Sequence, residues 1–87
     1  MNEQPHYHQA EFEEPLQIED PNGKAVVRVV KKACPDILED TIDLVNGELL
    51  FTATRCCCLE VEAALEAAGF TLSYALSCEP GDPADLM

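Results

Sequence analysis

Backbone punctuation constrains this chain more than any other feature. Asp20-Pro21-Asn22-Gly23, Cys34-Pro35, Asn46-Gly47 and Gly69 cut it into short segments, because proline presets φ and removes a donor while glycine accepts the positive φ that turns and helix stops require. No long element fits between such breaks. With 87 residues and polar stretches at both ends, the folded part is roughly 65 residues, enough for one core only.

The segments read as alternating short strands and helices. Leu16-Gln17-Ile18-Glu19 alternates like a half-buried strand, and the turn at Asp20–Gly23 leads it as a β-hairpin into Lys24–Lys32. Valines occur on both faces of that second segment, as in a central strand. Pro35 suits the first position of a helix that runs to about Val45, with Ile37, Leu38, Thr41, Leu44 and Val45 on one arc and Asn46-Gly47 as its stop. Glu48–Thr54 is a strand with Leu49, Phe51 and Ala53 on one face. Thr54 then caps a helix from about Arg55 to Ala68, which buries Cys57, Cys58, Val61, Ala64, Leu65 and Ala68, and Phe70–Cys78 alternates as a final strand.

The order β-β-α-β-α-β predicts a small α/β or α+β domain over residues 11–78, with three or four strands and two helices on one sheet face. Consecutive βαβ units imply parallel strands. The alternative is a ferredoxin-like antiparallel sheet, which needs one more strand than the pattern offers. Residues 1–10 and 79–87 read as flexible tails, and the N-terminal segment with Tyr7 and Phe12 is a candidate cover for the other sheet face.

Charge excludes several functions. The net charge is −12, which opposes direct binding to nucleic acid or to an anionic membrane and favours cations or basic protein surfaces. The bases Lys24, Arg28, Lys31 and Lys32 lie together, and Arg55 is the sole base after them. No apolar run is long enough for a spanning helix, and the first residues have neither the basic start nor the apolar stretch of a secretory signal, so the expected location is cytoplasmic.

In a reducing compartment five cysteines are expected as thiols or metal ligands rather than as a disulfide framework. Cys34, Cys56, Cys57, Cys58 and Cys78 all follow or close predicted strands, so parallel strands gather them at one sheet edge, where open α/β folds place ligands. A helix N-terminus and Arg55 both favour thiolate at Cys56. Cys34, Cys56 and Cys78 are therefore the candidate ligands for zinc, copper or iron, or candidate redox thiols. The spacing matches no zinc or iron–sulfur pattern, and three adjacent cysteines on a helix point 100° apart. Small buried apolar residues are the plainer explanation.

His6 and His8 read as two weak ligands in the N-terminal tail. No Ser/His/Asp or Cys/His pattern falls on structured elements, and no phosphate-binding glycine loop is present. No catalytic constellation is expected.

The acids Asp36, Glu39, Asp40 and Asp43 fall on the outer face of the first predicted helix, and Glu60, Glu62 and Glu66 of the second extend that surface. Like charges at i,i+4 weaken a helix, and a solvated face accounts for them without a partner. The functional expectation is a non-enzymatic protein-binding module that lays these carboxylates on the basic surface of a larger protein, as an inhibitor or regulator. In size and charge only, the chain is similar to phage-encoded inhibitors of bacterial nucleic-acid machinery, including anti-CRISPR proteins. A cysteine-based metal or redox protein and a structural subunit of a larger complex are the alternatives.

Overall fold

The structure is a computed structural model, and residues 5–81 are described. It is an α+β fold with the order β1(His6–Phe12), α1(Pro21–Ala33), β2(Ile37–Val45), β3(Glu48–Ala53), α2(Cys58–Ala67) and β4(Leu72–Pro80). The strands form one sheet in the order β2-β3-β1-β4, and every neighbouring pair is antiparallel. This is the ferredoxin-like connectivity, in which each β-α-β unit is split by an intervening strand. The expected parallel sheet is corrected, as is the expected element order.

Several segments differ from their sequence reading. The segment read as tail supplies residues 6–10 of β1, an inner strand of the sheet with His8, Ala10 and Phe12 buried at period two. It therefore does not cover the free sheet face. At the other end β4 runs on to Pro80, while the expected tail positions 1–4 and 82–87 lie outside the described residues. Leu16–Glu19 is a loop rather than a strand.

Lys24–Lys32 belongs to helix α1. Pro21, read as a turn residue, takes the first helical turn after Asp20, and Lys31 and Lys32 lie in the last turn where cations suit the helix dipole. Val26 and Val30 are fully buried, Val29 and Ala33 pack beside them, and Lys24, Arg28, Lys31 and Lys32 are exposed. That is a helical arc with a basic back, and its burial outweighs the β preference of valine.

The expected helix at 36–45 is instead strand β2. Its pairing with β3 skips from Leu38↔Thr52 to Asp43↔Leu50, so residues between them bulge out of the ladder and blur the period of two. Thr41 Oγ1 takes the backbone's place there, accepting the Thr52 N–H at 2.8 Å and donating to the Leu38 carbonyl at 2.6 Å. Asn46 and Gly47, with φ of 50° and 83°, form a two-residue hairpin turn of the type whose twist matches paired strands, not a helix stop.

Both helices pack on one sheet face. Val26 and Val30 of α1 and Val61 and Leu65 of α2 share a core with Leu44, Leu49, Phe51, Ala53 and Leu76. The opposite face carries partly exposed Tyr7 and Leu50. Helix α2 begins at Cys58 behind Cys57 rather than at Arg55 behind Thr54, and Phe70 donates its N–H to the Leu65 carbonyl at 3.0 Å to close it.

Candidate thiol centre

Topology brings the cysteines together. Strands β3 and β4 flank β1 antiparallel to it, so both finish at the end of the sheet where β1 begins. Helix α1 ends and α2 starts at the same end. Cys34 and Cys57 form a disulfide, as do Cys56 and Cys78, while Cys58 is a free thiol. Gathering at one edge was expected from parallel strands; it arises here in an antiparallel sheet, and Cys34 follows a helix rather than a strand. The expectation of five thiols is corrected for four of them.

The extended approach to α2 sorts the cysteine run. Cys57 turns inward and is fully buried, as is Cys34, so their disulfide belongs to the core. Cys56 and Cys58, one residue to either side, share the opposite direction, and their sulfurs lie 3.6 Å apart. The 100° spread of helical neighbours does not apply, because only Cys58 is helical. Cys56 is exposed, and Cys58 and Cys78 are half-buried.

His8 completes the cluster. It stands in a cross-strand row on the helix-facing side, paired with Phe51 of β3 and Cys78 of β4. Its ring stacks on Phe51 with centroids 4.4 Å apart. Nε2 accepts the Cys57 N–H at 3.0 Å, and Nδ1 lies 2.9 Å from the His6 carbonyl oxygen. A carbonyl only accepts, so Nδ1 carries the proton and Nε2 the lone pair. Burial lowers the His8 pKa, which keeps the ring neutral. The ligand atoms of His8, Cys56, Cys58 and Cys78 all lie within 4.8 Å of one another.

Of the candidate ligands read from the sequence, the structure keeps Cys56 and Cys78 together and removes Cys34 to the core. Cys58 and His8 take its place. The signal for His8 was its period-two run with Ala10 and Phe12, which marks a strand face; Cys56 and Cys58 show the same spacing.

Arg55 does not activate a thiol. It donates to Asp36 Oδ2 and to Glu60 Oε2, each at 2.6 Å, and these bonds raise its pKa. The same hydrogen bond lowers the Glu60 pKa. Cys56 is held in its disulfide, and the Cys58 thiol is pushed up, first by burial and then by the Glu62 and Glu60 carboxylates.

The acidic residues do not form a helical stripe. Asp36 lies in the turn before β2, and Glu39, Asp40 and Asp43 are exposed on β2 at the sheet edge. Glu39 pairs with Lys31 of α1 at 3.4 Å. Glu60, Glu62 and Glu66 lie on α2, where Glu62 Oε2 accepts the Leu76 N–H at 3.1 Å. Arg55 joins the two groups through Asp36 and Glu60. Among the described residues no helix is long and apolar enough to cross a membrane. No family model matches the chain, and neither does any curated protein or solved structure.

Proposed function

We propose that the chain is a small redox-responsive thiol protein, not an enzyme, whose centre is the Cys56–Cys78 disulfide together with the Cys58 thiol. The observation that carries this reading is the 3.6 Å between the Cys58 and Cys56 sulfurs, a free thiol in contact with a disulfide near the surface. Once deprotonated, Cys58 attacks Cys56 Sγ. A Cys56–Cys58 bond forms as the Cys56–Cys78 bond breaks, and Cys78 leaves as a thiolate that takes up the proton released by Cys58. Alternatively a dithiol reductant supplies two electrons and two protons, giving thiols at Cys56 and Cys78 and an oxidised dithiol.

A thiol with a raised pKa attacks slowly at neutral pH, which suits a switch rather than a rapid catalyst. The fully buried Cys34–Cys57 pair holds the core while the outer pair changes state. A cytoplasmic location belongs to the proposal, in which the outer pair is of the transient, redox-sensing kind found there and burial shields the Cys34–Cys57 pair from reductant. The test is equilibration in graded glutathione buffers, quenching by alkylation and mass mapping of the bonds. Cys56–Cys78 should open under milder reduction than Cys34–Cys57, and Cys58→Ser should remove the Cys56–Cys58 isomer. Equal resistance of the two disulfides overturns the reading.

A second reading, the protein-binding module, draws support from the exposed carboxylates of Glu39, Asp40 and Asp43 on an uncovered edge strand. Charge on an edge also blocks unwanted strand addition, which needs no partner. Reversing the three to lysine should abolish salt-sensitive binding to basic nucleic-acid-binding proteins; unchanged binding removes this reading.

A further inference from the structure

We infer that opening the Cys56–Cys78 disulfide turns this end of the sheet into a metal site of three cysteines and one histidine, His8, Cys56, Cys58 and Cys78, for a borderline-soft divalent ion such as zinc. The inference rests on the proposed redox reading, since Cys56 and Cys78 can ligate as thiolates only after their disulfide is reduced. Nothing in the spacing of these residues along the chain announces the site, because its ligands come from β1, the approach to α2, the first residue of α2 and β4.

Geometry supports four-coordination. A tetrahedral zinc with bonds of about 2.3 Å to sulfur places neighbouring sulfurs about 3.8 Å apart. The Cys56 and Cys58 sulfurs already stand at 3.6 Å, and no pair of ligand atoms in the set exceeds 4.8 Å. Release of the covalent Cys56–Cys78 bond lets those two sulfurs separate to the same edge length. Cys57 cannot compete for the ion, because it is tied to Cys34 in the core.

His8 is prepared for the role. A metal-binding histidine characteristically donates its second ring N–H to a carbonyl or carboxylate, which fixes the tautomer and the ring plane. Here Nδ1–H points at the His6 carbonyl, Phe51 holds the ring by stacking, and the Nε2 lone pair faces the backbone that carries the cysteines. Coordination through Nε2 exchanges the Cys57 N–H for the ion. Three thiolates leave one excess negative charge over a divalent cation, and Arg55, already paired with Asp36 and Glu60, braces the segment through its Nη1 contact with the Cys56 carbonyl oxygen at 3.3 Å. The overall change is balanced: a dithiol reductant delivers two electrons and two protons to the disulfide, and the ion then displaces one proton from each of the three thiols.

The test uses the full-length chain without an affinity tag, reduced anaerobically, with an aliquot alkylated and mass-mapped before cobalt(II) is added as the probe. With Cys56 and Cys78 reduced, one cobalt per chain should bind, with the visible bands of tetrahedral coordination and thiolate charge transfer, and zinc should displace it. The oxidised protein should show neither. Cys58→Ser, which keeps both disulfides and is checked for folding while oxidised, should lose the tetrahedral spectrum after reduction. If mapping shows that Cys56–Cys78 cannot be opened, the redox reading fails and this inference with it. If the disulfide opens but no tetrahedral cobalt forms, or the oxidised protein binds equally well, the metal inference alone is overturned.

Discussion

The Nε2 of His8 accepts the backbone N–H of Cys57 at 3.0 Å, a bond that ties the central strand of the sheet to the cap of α2 across 49 residues of chain. Both partners are buried, so water cannot replace either one. His8→Leu fills a similar volume but leaves the buried Cys57 N–H without its ring partner. The expected cost is about 1–3 kcal/mol for that group, read as a lower urea midpoint at unchanged slope.

The same residue sets a pH dependence. Burial lowers the His8 pKa below its ordinary 6.5, so between the folded and unfolded values the unfolded chain binds more protons. Stability from this group is fully present above about pH 6.5 and is lost as pH falls toward the folded value. Urea midpoints measured from about pH 7 down to about pH 5 should fall in the parent and fall less in His8→Leu. Glu60, whose pKa is lowered from 4.5 by Arg55, adds its own loss only at lower pH.

Much of this architecture can be read from the residues, and the failures have particular causes. Leu49, Phe51 and Ala53 alternate without interruption, and β3 lies where that pattern predicts. Val26, Val29, Val30 and Ala33 sit at helical spacing, but valine's preference for strands and an apparent turn at Asp20–Gly23 hide it. Strand β2 is concealed by its own bulge, where Thr41 substitutes for a ladder bond. At the site, the sequence groups Cys34, Cys56 and Cys78 near strand ends, and the structure keeps Cys56, just after β3, beside Cys78, near the end of β4. His8 and Cys58 are not, since their convergence depends on β1 lying between β3 and β4, which no local pattern specifies.

The buried Cys34–Cys57 disulfide closes a loop of 23 residues. Cross-linking a loop of this length removes enough unfolded-state entropy to contribute about 3 kcal/mol. Replacing both cysteines by alanine should lower stability by that amount and steepen the urea dependence, because an unfolded chain without the link exposes more surface. Cys58→Ser, which breaks no bond between elements, should leave the midpoint within error.

Gly23 illustrates a packing constraint at the start of α1. Alanine in a helix interior normally stabilises relative to glycine by about 1 kcal/mol. Here a Cβ would collide with the Gln17 carbonyl oxygen and lie 2.7 Å from its carbon, and both are backbone atoms that no rotamer change can clear. Gly23→Ala should therefore destabilise by about 1–3 kcal/mol, the usual cost of overpacking, seen as a lower thermal midpoint.

Cys58 provides the most direct view of the site's electrostatics. Its thiol pKa is raised chiefly by burial, with the Glu62 and Glu60 carboxylates adding to the shift. Alkylation by iodoacetamide should accordingly be slow near neutral pH and should accelerate into the alkaline range, since only the thiolate reacts. Glu62→Gln removes one of the repelling charges while its amide oxygen can still accept the Leu76 N–H, so the fold is kept and the rate profile should move to lower pH. Because burial is the larger cause, that profile should remain more alkaline than that of an exposed cysteine in a short peptide. A profile equal to the peptide's would mean that Cys58 is neither buried nor faced by carboxylates.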